Sequence, residues 1–271
     1  VADQPPQLTL ASNLTGLDLR LDALGWTKGA KTRATLDLEV RLSREPVVER
    51  LTLKAPGLTA DGMITTAEGG GLKEARFSRV KSGDWLDAPV VLTGTGKGGA
   101  LDVAVTGGRL DIRKMPGGKG DAGTGGPIDL ALDRLLLSDG ISLTGFRGSF
   151  SPRGGMSGSF SAGVNGLGQI RGVVAPAEGG SAFRITSDNA GTVMAAAGIF
   201  DKGRGGELDM TLFPRGPAGH YNGTATFSRM RVQGAPALAE LLSAISVVGL
   251  LEQMSGEGLA FNNGEVRFIL T

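Results

Sequence analysis

The sequence contains no cysteine. That excludes disulfides, thiolate metal sites and a cysteine nucleophile, and it fits a bacterial envelope protein as well as a cytoplasmic one. Histidine occurs once, as His220, in the turn-like context Gly216-Pro217-Ala218-Gly219 beside Tyr221. Any Ser-His-Asp triad would have to use that residue, yet no Gly-x-Ser-x-Gly elbow accompanies it, and one histidine without cysteine makes a poor zinc site. Neither sign of charge dominates, with 28 Lys and Arg against 27 Asp and Glu. No global field draws the chain to nucleic acid or to an anionic surface. Aromatic residues make up only 5%, so the weak basic cluster of Arg109, Arg113 and Lys114 lacks the interleaved rings of a nucleic-acid interface. No apolar run approaches the roughly 20 residues of a membrane-spanning helix.

What the chain does have is aliphatic side chains, spaced by two. Leu36, Leu38, Val40 and Leu42 alternate with Thr35, Asp37, Glu39 and Arg41, which gives a strand one greasy face and one wet face. The same period recurs in Leu17, Leu19 and Leu21, in Leu51 and Leu53, in Leu101, Val103 and Val105, and in Leu110 and Ile112. It continues in Ile128, Leu130 and Leu132 and in Leu208, Met210 and Leu212. Half-buried antiparallel strands are expected at each. The 46 glycines fall largely between these runs, at Gly69 to Gly71, Gly94 to Gly99, Gly107 to Gly108 and Gly179 to Gly180, and they predict successive hairpins. At the C-terminus, Asn263-Gly264 between Leu259, Phe261 and Val266, Phe268, Leu270 predicts a final hairpin with a type I′ turn.

The expected fold is mainly β, an elongated, curved antiparallel meander forming a groove, with two short helices near the C-terminus. At 271 residues the chain accommodates one large β domain or two smaller ones. Residues 1–185 read as the meander and 186–271 as a C-terminal region continuous with the same sheet. Residues 115–127, MPGGKGDAGTGGP, lack side chains able to offset their ordering entropy and are expected to form a mobile loop within the first region. A first helix is expected between Asp188 and Phe200, capped by Asp or Ser, with Val193, Met194, Ala197 and Ile199 along it, ending before a Gly203 to Gly206 turn. A second is expected over 236–254, with Pro236 in its first turn and Leu238, Leu241, Leu242, Ile245, Val248 and Leu251 making it apolar nearly all round. Such a helix either plugs the end of the sheet's apolar face or meets a membrane or partner.

Other patterns carry no chemistry. Gly94-Thr95-Gly96-Lys97-Gly98-Gly99 satisfies G-x-G-x-x-G, but a dinucleotide site needs a helix next, and Leu101, Val103 and Val105 continue as a strand. Carboxylates such as Asp18 and Asp22, Asp37 and Glu39, or Asp129 and Asp133 alternate everywhere, so no pair stands out as a glycosidase dyad. Asn13-Leu14-Thr15 and Asn222-Gly223-Thr224 match the glycosylation sequon without further support. No catalytic residue, metal or cofactor is expected, and the chain's opening Val-Ala-Asp-Gln-Pro-Pro reads either as what a removed signal leaves or, the preferred reading, as an excised piece of something longer.

Two segments carry a family likeness. TSDNAGTVMAAAGIFDKGRGGELDM, Thr186 to Met210, has an Asp-containing start, a short helix, a Gly-Gly turn and a strand. GTATFSRMRVQGAPALAELLSAISVVGLLEQMSGEGLAF, Gly223 to Phe261, follows with a strand, an apolar helix and a Gly-rich return strand. Together, over about Thr186 to Thr271, they resemble the C-terminal region of AsmA-like bacterial envelope proteins, the YhdP/TamB-type lipid-transfer group. The resemblance implies a long curved sheet with an apolar groove, a periplasmic segment of a longer protein anchored in the inner membrane, and phospholipid as partner, moved towards the outer membrane. The groove lining would be Leu36, Leu38, Val40, Leu42, Leu101, Val103, Val105, Leu110, Ile112, Ile128, Leu130, Leu132, Leu208, Met210 and Leu212, within one apolar face from about Leu8 to Leu270. The alternative is a non-transporting structural or adhesin-like β-protein whose apolar faces pack on each other.

Overall fold

The computed structural model describes residues 5–94, 99–116, 125–217, 219–233 and 259–271, with side chains from 262 onward in the last stretch. The expected helix at 236–254, with its Leu238, Leu241, Leu242, Ile245, Val248 and Leu251, lies outside the described residues, as do residues 117–124 of the glycine-rich loop.

Among the described residues the chain is mainly β. Its strands are β1 (Gln7–Ser12), β2 (Leu19–Leu21), β3 (Trp26–Lys28), β4 (Thr35–Arg41), β5 (Val47–Ala55), β6 (Leu58–Thr66), β7 (Leu72–Ser82), β8 (Leu86–Gly94) and β9 (Leu101–Thr106). They continue with β10 (Arg109–Asp111), β11 (Ile128–Leu136), β12 (Ser142–Ser151), β13 (Ser157–Val164), β14 (Gly168–Ala177), β15 (Gly180–Ser187), β16 (Gly203–Pro214), β17 (Tyr221–Val232) and β18 (Leu259–Leu270). Sixteen of them form one sheet in the order β1-β4-β5-β6-β7-β8-β10-β11-β12-β13-β14-β15-β16-β17-β18, with β9 between β8 and β11. Among the described residues β1 pairs only with β4 and β18 only with β17, so both are edge strands. The contacts divide the chain into two compact units, Val1–Leu137 with Ser149–Gly154, and Ser138–Gly148 with Gly155–Thr271. The expected division at 185/186 falls inside β15.

Five local expectations are corrected. Leu17, Leu19 and Leu21 do not join the large sheet: β2 pairs with β3 as a separate ribbon, and Leu17 and Leu21 are exposed. Left-handed glycines on either side, Gly16 and Gly25, turn the chain out of the extended conformation there.

Gly107-Gly108 is not a hairpin turn. β9 and β10 both run antiparallel to β8 and parallel to β11, so they are one strand interrupted by two glycines at positive φ. Gly108 uses its N–H on Asp133 Oδ2 at 2.8 Å, and its carbonyl accepts from the Asp133 and Arg134 N–H groups. The sheet is therefore mixed at this step, and the connection over 112–127 is the long crossover that parallel neighbours require.

The expected C-terminal hairpin is one continuous strand. Asn263 and Gly264 sit opposite Ser228 and Phe227 in mid-ladder, and neither takes positive φ. The twelve-residue edge of β17 pairs with the segment along its whole length, whereas a hairpin would pair only short arms.

Gly203 to Gly206 likewise lie inside β16; the ladder skips Gly206 and Arg229, both at positive φ. The described α-helix, α1 (Ala190–Ala196), is capped by Asn189, whose side chain accepts from Thr192 N–H at 3.0 Å. Neither Asp188 nor Ser187 plays that part, and Ile199 falls beyond the helix, 71% exposed.

Candidate functional site

In an antiparallel ladder, directly paired residues share a face, and the pairing can be followed strand by strand. In the first unit they connect Leu10, Leu38, Leu51, Gly62, Phe77, Val90, Val105 and Leu130 into one row. The adjacent row is Leu8, Val40, Val48, Ile64, Ala75, Leu92, Val103 and Ile128. A third links Leu36, Leu53, Ala60, Val80 and Ala88. None of these rows contains a charge. The opposite face carries the ion pairs Glu39–Arg50 at 2.6 Å, Arg41–Glu49 at 2.9 Å and Arg79–Asp87 at 2.7 Å. Such exposed pairs contribute little stability each, but they keep that face wet. The Arg79 guanidinium holds the Asp87 carboxyl below the usual carboxylate range.

Most side chains in these rows are half-buried. Leu36, Leu38, Val40, Leu51, Leu53, Val48, Ile64, Phe77, Val90, Leu92, Val103, Ile128 and Leu130 are neither solvent-free nor fully exposed. At one end the face is closed. Leu58, Ala60, Val80, Leu86 and Ala88 are buried beside the β5–β6 turn, where Trp26 Nε1 donates to Pro56 O at 2.8 Å. There Lys28 is 3% exposed and its ammonium donates to the carbonyls of Leu14, Leu17 and Gly29 at 2.7, 2.8 and 3.2 Å. All three of its protons are thus used without a carboxylate. Asp111, 1% exposed, closes the end of β10 through two bonds from Arg113 at 2.7 and 2.6 Å. That guanidinium lowers the Asp111 pKa to about 2.

The second unit repeats the plan with different side chains. One row is Phe160, Gly172, Ile185, Met210, Ala225 and Val266, and the next is Gly158, Val174, Phe183, Leu212, Gly223 and Phe268. Phe160 stacks on Phe146 with centroids 5.4 Å apart, and Phe183 meets Tyr221 edge-on at 5.7 Å. On the far face Arg184 bonds Asp209 at 2.6 Å and lowers its carboxyl pKa. Helix α1 closes one end of the unit. A methyl on Gly168 would lie 2.7 Å from Val193 Cα, so the helix rests directly on the strand backbone. Asn165, at φ 47, ties this end together. Its Oδ1 accepts from Ser142 N–H and Oγ, and its Nδ2 donates to Gly140 O and Ala196 O.

The expected lining residues fall into three groups. Leu36, Leu38, Val40, Val103, Leu110, Ile128, Leu130 and Met210 are half-buried on the apolar faces. Val105, Leu132, Leu208 and Leu212 lie on the same faces but are buried, and Leu132 has no exposure at all. Leu42 and Ile112 stand just past the ends of β4 and β10 and are exposed, as is Leu101 at the start of β9. Sequence reasoning missed much of β5 to β8, because register shifts near Glu39, Val48, Asp61 and Phe77 break the period of two. It also left out Phe160 and Ile185, and it read Phe268 as one arm of a hairpin rather than as lining.

Polar features are fewer. A cavity of about 410 Å³ is lined by Ser161, Gln169, Arg171, Thr186, Asp188, Asn189 and Thr192, among others. Arg171 is bonded to Asp188 across it at 2.8 Å. His220 sits in the β16–β17 turn, its N–H on Pro217 O. Gly94 pairs with Leu101, so the glycine-rich motif lies between two antiparallel strands. Among the described residues no three His, Asp or Glu side chains gather in a metal-binding group, and no helix is long and apolar enough to cross a membrane.

Comparison with protein-family models, with curated proteins and with solved structures finds no match to this chain.

Proposed function

We propose that the apolar sheet faces hold the acyl chains of phospholipids, and that this chain is a periplasmic segment of a bridge-like, groove-forming protein that conducts lipid between inner and outer membranes. The observation that carries this reading is the set of charge-free rows, up to eight strands wide in the first unit, most of whose side chains remain half-exposed. Leaving acyl chains in water costs about 0.8 kcal/mol per CH₂, on the order of 25 kcal/mol for about thirty such groups. An aliphatic surface that is already partly desolvated recovers much of this, and uniform rows offer a passing chain no position much better than the next. The wet, ion-paired opposite face keeps the sheet from burying both sides. The AsmA-like resemblance over about Thr186 to Thr271 points the same way.

Native mass spectrometry and lipid extraction of the purified protein test this directly. Co-purifying phospholipid is expected, with less of it in Leu38→Asp, Val103→Asp and Leu130→Asp variants and a more permeable outer membrane in cells carrying them. A lipid-free protein whose three variants leave permeability unchanged selects the other reading, a structural β-protein that transports nothing.

A further inference from the structure

Glycine is an unexpected occupant of an apolar sheet face, because it contributes no side chain to the surface and weakens a strand. Yet Gly172 and Gly223 stand in adjacent rows of the second unit's face, and both are buried. Each is paired directly with a phenylalanine, Gly172 with Phe160 and Gly223 with Phe268. A methyl group built on either glycine would overlap its partner's ring, and the three nearest atoms in each case belong to that ring. Each ring therefore lies across the neighbouring strand, in the space that a side chain would fill, rather than standing off the sheet. Neither glycine is at positive φ, so no backbone conformation demands it. Gly62 opposite Phe77 differs, since there a methyl would also meet Arg76 O at 2.5 Å and Phe77 Cα at 2.9 Å.

We infer that Gly172 and Gly223 set the height of the second unit's apolar face: they hold Phe160 and Phe268 flat and so keep their rows low enough to seat an acyl chain. They are positioning residues acting through the rings, and the inference rests on the reading that this face holds lipid. An aromatic ring standing upright in a row of Ile185, Met210 and Ala225 would obstruct a chain lying along it. Laid on glycine, the same ring adds apolar surface without adding height.

The test uses the full chain, incubated with vesicles of phosphatidylethanolamine and phosphatidylglycerol, repurified and weighed by native mass spectrometry. Gly172→Ala and Gly223→Ala are expected to keep wild-type strand content by circular dichroism and to lose at least about half of the bound lipid. Adding Phe160→Leu to the first and Phe268→Leu to the second is expected to restore wild-type occupancy, because the smaller side chain needs no bed. A purely stabilising role would lower the melting temperature of the alanine variants while leaving lipid occupancy unchanged, and that result overturns the inference. So does failure of the leucine double variants to recover, or failure of the alanine variants to fold, which would assign the glycines to the backbone alone. If the wild-type protein itself takes up no lipid, the reading of the face falls first, independently of any variant.

Discussion

The two units reach similar faces by different routes. The first builds its rows mostly from Leu, Val, Ile and Ala, side chains of middling size, with a single Phe–Gly pair, Phe77 with Gly62. The second lays two of its largest side chains on the smallest, Phe160 on Gly172 and Phe268 on Gly223. Even volume along a row and alternating extremes across a strand pair both give charge-free apolar rows. Their end closures differ as well. The first unit uses a buried ammonium caged by carbonyls, and the second a short helix bedded on glycine, with an asparagine as its tie. The first is electrostatic and local in sequence; the second depends on close backbone approach.

The sharpest way to break this comparison is to remove volume where a face is fully closed. Leu132 is 0% exposed, so Leu132→Ala is expected to cost about 2–5 kcal/mol. Urea unfolding followed by the fluorescence of Trp26 and Trp85, both in the first unit, measures the loss. A change below about 1 kcal/mol would show that the site collapses freely and is no true core. Next in size are the two end ties. Lys28→Met strips donors from three carbonyls and Asn165→Ala strips four bonds, each expected to cost about 1–3 kcal/mol. Hydrogen exchange should show lost protection in β2 and β3 for the first, and around Ser142 and the end of α1 for the second. Loss spreading into the other unit would contradict the separate closures.

The smallest effect is acid sensitivity. The folded Asp111 carboxyl titrates at about 2, below its ordinary 3.8, chiefly because Arg113 bonds the charged form. Its stabilising contribution is present above the unfolded value and is lost as pH falls through the folded one. The urea midpoint of the tryptophan transition should therefore fall between about pH 4 and pH 2, and Asp111→Asn should flatten that fall. Asp209 in the second unit has the same sign through Arg184, but its pair is exposed and screened. An equal acid slope in both units would refute the difference.

Strand faces were legible in most runs where the period of two held, as in Leu36 to Val40, Leu101 to Val105 and Leu208 to Leu212, but not in Leu17 to Leu21. Each of the first three runs lies on an apolar face. Legibility failed where the backbone rather than the side chain carried the information. Gly107-Gly108 reads as a turn in any local window; only the pairing of β8 and β11 with both flanking segments shows one interrupted strand. Asn263-Gly264 has the composition of a type I′ turn, but the long open edge of β17 outweighs a preference worth about 1 kcal/mol. The helix cap shifted by one residue because Asp, Asn and Ser are near-equivalent caps. Lys28 as a closing residue had no sequence signal, since its partners are carbonyls that any residue could supply.

The edge position of β1 and β18 has a consequence for size. A barrel has a circumference fixed by its strand number and stagger, so inserting a hairpin changes the radius and every side chain inside. An open ladder has no such closure condition. A hairpin added at an edge lengthens each row by about 9–10 Å, two inter-strand spacings, and leaves the existing rows as they were. The length of an apolar face of this kind can change by whole hairpins during evolution without any of its earlier positions having to be solved again.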